Sequence, residues 1–248
     1  MAHKVLFFLG AGRNVGAASV ALFKSQGYKI TSVARTIKPN VGMYSDMHLT
    51  ADFSDPQAVE KIFEKVEQNL GVPNVVVYNP YSWSIGPEPW NPISAPLADF
   101  QKDLAINTVS AYAATRAAVS AFDKLPSDAK QTFIYTGNAG NTNTIPEFLE
   151  LGIGKSSTWF LIQALAAAPS FASKGCHFYY VDEHTPLGKA MHYISGPGHA
   201  EFFLHLSESQ EQEEPLASFR AVLPRSTTED TLDPIYGRPG TVESRYGY

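Results

Sequence analysis

One feature constrains this chain more than any other. An apolar run of five residues, Val5–Leu9, passes directly into the segment GAGRNVGAA. Five apolar residues are too few for a membrane span or a signal-peptide core, and they suit a buried strand. Gly10, Gly12 and Gly16 then follow the spacing G-x-G-x-x-x-G, and a helical pattern begins within it. Glycines at such a junction permit a tight turn and let the backbone approach a ligand. The helix start beyond them offers free amides and a positive dipole end.

The same alternation continues down the chain. Short apolar runs at Val5–Leu9, Lys29–Ala34, Met47–Ala51, Asn74–Tyr78, Thr132–Thr136 and His177–Val181 read as strands. Between them, Gly16–Gln26, Pro56–Leu70, Asp99–Phe122 and Lys155–Ser173 carry helical periodicity, followed by a last helix at His199–Leu206 and a last strand at Ser218–Leu223. Strands separated by helices predict a doubly wound, mostly parallel α/β sheet of the Rossmann type in a single domain. Residues 1–206 form its body, and residues 207–248 the last strand and an extended tail. Ser54 to Gln57 has the form of a capping box, with Ser54 as the cap. Gly27 and Gly71 stand where helices end in a left-handed residue.

Composition narrows the function classes. The 248 residues carry a net charge of −5, which argues against a nucleic-acid or anionic-membrane surface. The single cysteine, Cys176, excludes an internal disulfide and fits a reducing, cytoplasmic setting. Seven histidines show no compact ligand spacing, so no metal site is expected.

The second strand ends in SVARTIK, without the acidic residue that would bind ribose hydroxyls. Arg35, Thr36 and Arg13 of the glycine loop instead make a site suited to a 2′-phosphate, since guanidinium matches phosphate bidentately. The expected cofactor is NADP(H), with Gly10, Gly12, Arg13, Asn14, Val15 and Gly16 forming its phosphate cradle.

With these motifs in order, the chain resembles the short-chain dehydrogenase/reductase family over about residues 4–206. TADFSD matches the family's acidic segment, and implies Asp52 and Phe53 beside the adenine. YNPY (Tyr78–Tyr81) stands where the family has Asn-Asn-Ala-Gly and matches only at Asn79, and LAINTVSAY carries the family's helix asparagine at Asn107. In the family that asparagine organises a relay water near a lysine, here Lys155. The lysine hydrogen-bonds the nicotinamide ribose. The sequence departs at the catalytic hydroxyls. Leu151 stands where the family has tyrosine, four residues before Lys155. Thr136-Gly137 stands for its Ser-Ser by strand motif, or Asn138 for the second serine by counting back from the lysine. Leucine cannot donate a proton, so the usual carbonyl reduction is not expected.

Replacement acids or bases are sought after the sixth strand, where Asp182, Glu183 and His184 occur, and at Tyr81, Tyr135 and Tyr193. The aromatic, proline-rich stretch Tyr78–Ser94 with Trp83 and Trp90 predicts a pocket for a bulky apolar substrate. Thr185–Gly198 occupies the place of the family's lid, with Gly196-Pro197-Gly198 as hinges. Three functions remain open. The first is an NADPH-dependent reductase needing no tyrosine, acting on an iminium or conjugated C=C of a natural-product-like substrate. The second is a non-redox cyclase, isomerase or dehydratase. The third is an NADP-binding pseudoenzyme. The resemblance implies a homodimer or homotetramer.

Overall fold

The computed structural model describes residues 4–185, 187–191 and 193–221. Seven strands pair in parallel: β1 (Val5–Leu9), β2 (Lys29–Ala34), β3 (Met47–Thr50), β4 (Val75–Tyr78), β5 (Gln131–Thr136), β6 (Cys176–Glu183) and β7 (Leu216–Phe219). Their spatial order is β3-β2-β1-β4-β5-β6-β7. The chain therefore winds outward from β1 in one direction, returns to its other side at β4, and winds outward again. This reversal opens a crevice beyond the carboxyl ends of β1 and β4, where ligands of such sheets bind.

Strand residues alternate between two apolar layers, as the pleat requires. Phe7, Leu9, Val76, Tyr78, Phe133, Tyr135, Phe178 and Tyr180 fill one layer. It is covered by α3 (Pro56–Asn69), α5 (Ser110–Phe122) and α6 (Leu149–Ala166), after the short α2 (Pro39–Gly42) and before the short α7 (Pro169–Ala172). Leu6, Phe8, Ile30, Val75, Val77, Ile134, Tyr179 and Val181 fill the other layer. It is covered by α1 (Val15–Ser25) and α8 (Gly196–Glu208). Helix α4 (Leu97–Leu104) runs into α5 through a π-helical segment, Ala105–Val109.

The sequence expectations hold for the sheet and differ at several ends. The fold is the doubly wound single domain expected, with every pairing parallel. Gly27 and Gly71 do adopt positive φ, at 82° and 126°. The cap of α3 is Asp55, not Ser54: the Asp55 carboxylate accepts from the Gln57 amide at 3.0 Å. Helix α6 begins at Leu149, six residues before the expected start at Lys155. Gly152 and Gly154 weaken the helical signal there, and packing explains them. A Cβ on Gly154 would meet the Asn107 Cβ at 2.5 Å. Gly196 and Gly198 belong to the first turn of α8 rather than to a loop. Strand β7 lies two residues earlier than expected, and residues 222–248, the expected tail, lie outside the described residues.

Candidate functional site

At the crevice, the glycine loop is built by close approach. Gly10 has φ +78°, and a Cβ there would meet the Pro80 nitrogen at 2.6 Å. Asn79 Nδ2 donates to the Gly10 carbonyl at 2.8 Å, tying the end of β4 to the end of β1. Gly12 has no atom within 4 Å of its missing side chain, so the loop presents open backbone to the crevice. Val15 and Gly16 are buried where α1 begins. Asn14 caps α1 without a side-chain bond to it. Its amide donates instead to the Ile194 carbonyl at 3.0 Å.

The Asp52–Ser54 segment after β3 is held by one local bond. Asp52 accepts from the Ser54 amide at 3.0 Å, which lowers its pKa, with help from the nearby Arg35 charge. Phe53 is buried edge-on to Tyr78, 5.8 Å between ring centres. Arg13, Arg35 and Thr36 are exposed. Among the described residues neither guanidinium has a hydrogen-bond or ion-pair partner. An exposed pair of free guanidiniums beside an open glycine loop fits a phosphate-bearing dinucleotide.

The opposite end is built around a row of rings. Tyr78, Tyr135 and Tyr180 occupy matching register positions on β4, β5 and β6. They stack at 5.9 and 5.5 Å. The Tyr78 hydroxyl donates to the Ile106 carbonyl at 2.6 Å, and that of Tyr135 to the Asn107 carbonyl at 3.1 Å. Thr158 Oγ1 also donates to the Asn107 carbonyl, at 2.8 Å. These acceptors lie in the π segment, where the changed backbone pairing leaves carbonyls open to such donors. Both lone pairs of the Asn107 carbonyl thus have protein donors, so the relay-water role implied for Asn107 is not supported by this geometry. Burial pushes the Tyr135 phenol well above its usual pKa, making it a weaker acid, and its hydroxyl is already committed to the Asn107 carbonyl.

Lys155 is in the second turn of α6, 3% exposed, with Nζ donating to the Thr136 carbonyl at 2.8 Å. The ammonium lies over the Tyr135 ring, 4.5 Å from its centre. Desolvation pulls its pKa down to about 7, opposed in part by the Asp182 charge. Leu151, one turn earlier, is buried and supplies no polar group.

Gly137 has a physical reason to lack a side chain. A Cβ there would fall within the Tyr180 ring. Asn138 next to it donates its amide to the Tyr180 hydroxyl at 3.2 Å, and accepts from that hydroxyl through its carbonyl at 2.7 Å. Its Oδ1 accepts from the Gly140 amide at 2.9 Å. Among the described residues its Nδ2 has no acceptor, leaving both of its N–H groups open.

Asp182 and Glu183 were expected in a loop, but β6 extends through both, and both are buried. They point to opposite layers, as neighbours on a strand must. On the Lys155 side, Asp182 Oδ2 pairs with His184 Nε2 at 2.7 Å, and Oδ1 accepts from Ser218 Oγ at 2.6 Å. On the other side, Glu183 Oε2 accepts from the Ser195 amide at 2.6 Å and lies 3.6 Å from His199 Nδ1. Burial raises the Glu183 pKa and lowers that of His199 to about 4. Glu183 therefore anchors the base of α8, and does not join the Lys155 cluster.

Sequence reasoning missed the clamp on the loop after β4. Buried Asp103 accepts from Ser82 Oγ at 2.5 Å and from the Ser84 amide at 2.7 Å. One turn on, the Asn107 side chain takes both backbone groups of Ser82, at 2.9 and 2.7 Å. The signal was an acid four residues before Asn107, on the same helix face. Trp83 is fixed against Phe148 and donates to the Glu147 carbonyl at 3.2 Å, while Trp90 is exposed. Among the described residues no three His, Cys, Asp or Glu side chains are placed to hold a metal, and no helix is long and apolar enough to cross a membrane.

A doubly wound parallel sheet with a glycine loop at its topological switch point defines a dinucleotide-binding class of protein. The sequence is 38% identical over 223 residues to a "Short chain dehydrogenase/reductase dmxR12" of Cryptosporiopsis sp. (strain 8999), covering 86% of this chain and 89% of that protein. The chain belongs to the short-chain dehydrogenase/reductase family. Solved structures share the fold at lower identity. A family member from Mycobacterium marinum matches with a TM-score of 0.73 at 17% identity, over 88% of this chain and 94% of that one. A metagenomic short-chain oxidoreductase in complex with NADP matches at 0.73 and 18%, over 90% and 99%. BdcA in complex with NADPH matches at 0.69 and 16%, over 89% and 94%. No protein-family model matches the sequence.

Proposed function

We propose that the protein is an NADP(H)-dependent reductase whose substrate takes up hydride without a tyrosine acid. The observation that carries this reading is Lys155 held inside the fold at the carboxyl end of β5, one turn after the buried, apolar Leu151. The lysine serves a ribose hydroxyl and orients the nicotinamide. Arg13, Arg35 and Thr36 take the 2′-phosphate, Gly10 to Gly16 the pyrophosphate, Asp52 and Phe53 the adenine end, and Asn79 holds the loop in shape. Structures of relatives named as complexes with NADP and NADPH support the cofactor. When bound, the reduced dinucleotide supplies hydride.

An iminium carbon or a conjugated C=C is a suitable acceptor, because neither needs a proton on oxygen as hydride arrives. The ring-lined, clamped loop at Trp83 suits a bulky, natural-product-like substrate. The test is to follow loss of the reduced-nicotinamide absorbance band with candidate acceptors. Substrate turnover with no NADPH consumed would replace this reading by a cyclase, isomerase or dehydratase. Failure to bind any dinucleotide would sink both.

A further inference from the structure

We infer that His184, oriented by Asp182, is the proton donor of this site, and that the acceptor is a conjugated carbonyl rather than an iminium. The inference rests on the reductase reading and specifies its substrate class. Its basis is a side-chain chain that the proposed hydride chemistry leaves unused. Asp182 is 1% exposed, and both its oxygens are engaged, one by Ser218 Oγ at 2.6 Å and one by His184 Nε2 at 2.7 Å. A buried carboxylate held on one oxygen by a hydroxyl presents its other oxygen in a single direction. The imidazole that meets it has Nε2–H as donor, so Nδ1 is the nitrogen left to exchange protons.

The rest of the residue is held equally firmly. The His184 amide donates to the Phe219 carbonyl at 2.9 Å, and His184 forms an antiparallel bridge with Ala190. Its side chain is about a quarter exposed, at 24%, so solvent can recharge it. Its place is the carboxyl edge of the sheet, on the layer that holds Lys155. The Asp182 charge reaches Lys155, and Lys155 reaches the Thr136 carbonyl beside Asn138. Among the described residues, Asp182 from β6 meets the imidazole, Ser218 on β7 lies behind Asp182, and the Asp182 charge also reaches Lys155, Tyr180 and His199. An iminium reduction would need none of this, since hydride alone completes it.

The balanced step is as follows. Hydride adds to the β-carbon of an α,β-unsaturated carbonyl, and the C=C pair moves to form an enolate. Asn138 Nδ2 donates a hydrogen bond to the enolate oxygen. The Nδ1–H proton of the His184 imidazolium passes to the α-carbon, and the N–H bonding pair stays on the ring. Neutral imidazole then takes a proton from water. Asp182 is a positioning residue throughout.

The experiment uses two defined acceptors with the full-length protein and NADPH. Chalcone needs hydride and a proton, whereas N-methyl-3,4-dihydroisoquinolinium needs hydride only. His184→Gln is expected to lower the chalcone-to-iminium rate ratio by about 100-fold, the lower end of what a positioned general acid contributes. In parallel, 15N NMR of the imidazoles, with His184 assigned by its loss in H184Q, is expected to show the Nε2–H tautomer. In Asp182→Asn that preference should disappear. An unchanged rate ratio in H184Q, or an equal mixture of tautomers in the unsubstituted protein, overturns the dyad and leaves the reductase reading standing. Oxidation of NADPH with neither acceptor overturns the reductase reading, and the dyad with it.

Discussion

Lys155 illustrates how one side chain's chemistry depends on where its helix begins. Read as a helix-start residue it is a solvated cation. In the second turn of α6 it is buried, and desolvation pulls its pKa from 10.5 to about 7. Below about pH 7 the folded and unfolded chains both carry the proton, and the full cost of burial stands. Between about 7 and 10.5 only the unfolded chain holds it, so stability rises with pH across that window, by at most about 1.4 kcal/mol per unit. Lys155→Met should flatten this rise, which denaturant midpoints at pH 7 and 9 will measure. It should also weaken NADPH binding. Gly137 makes the complementary point. A Cβ there meets the Tyr180 ring, so Gly137→Ala should cost about 1–3 kcal/mol by overpacking. Trimming the ring in Gly137→Ala/Tyr180→Leu should relieve the clash but open space elsewhere, and thermal melts of the single and double variants will separate the two effects. The absence of a serine at position 137 thus follows from packing. The sequence displayed the absence but not the ring that explains it.

At the level of elements, the strands were the most legible parts, because an all-buried parallel strand must be a short apolar run. Helix ends were less so. The α6 start was hidden by Gly152 and Gly154, whose helix-weakening effect is visible in sequence while their packing partners are not. The π segment was not legible at all, since nothing in the residues Ala105–Val109 specifies the changed backbone pairing. It nevertheless sets the site, by aiming carbonyls at Tyr78, Tyr135 and Thr158. The Asp103–Asn107 clamp belongs to this scale too. Asp103→Ala leaves the Ser82 hydroxyl and the Ser84 amide without their acceptor, and should cost about 1.5–3 kcal/mol. Faster amide exchange at residues 82–84 than in the unsubstituted protein is the measurement that checks it.

Across the whole molecule, binding at the crevice should couple to global stability. NADPH at a hundredfold excess over its Kd should add about 2.7 kcal/mol, roughly 5–10 °C in Tm for a chain of this size. NADH should give less. Arg13→Ala and Arg35→Ala should each weaken NADPH binding by about tenfold to a hundredfold, the worth of one charged hydrogen bond. Together they should erase the difference between the two dinucleotides. Sequence by itself determined the doubly wound sheet, the glycine loop and the order of the cofactor motifs. Those depend on residue type and short-range periodicity. Tertiary structure alone decided which polar groups meet. Asp182 and Glu183 are neighbours in sequence, yet the pleat sends one toward Lys155 and His184 and the other toward Ser195 and His199. Contacts between residues tens of positions apart are set by how strands and helices pack, and no local pattern encodes them.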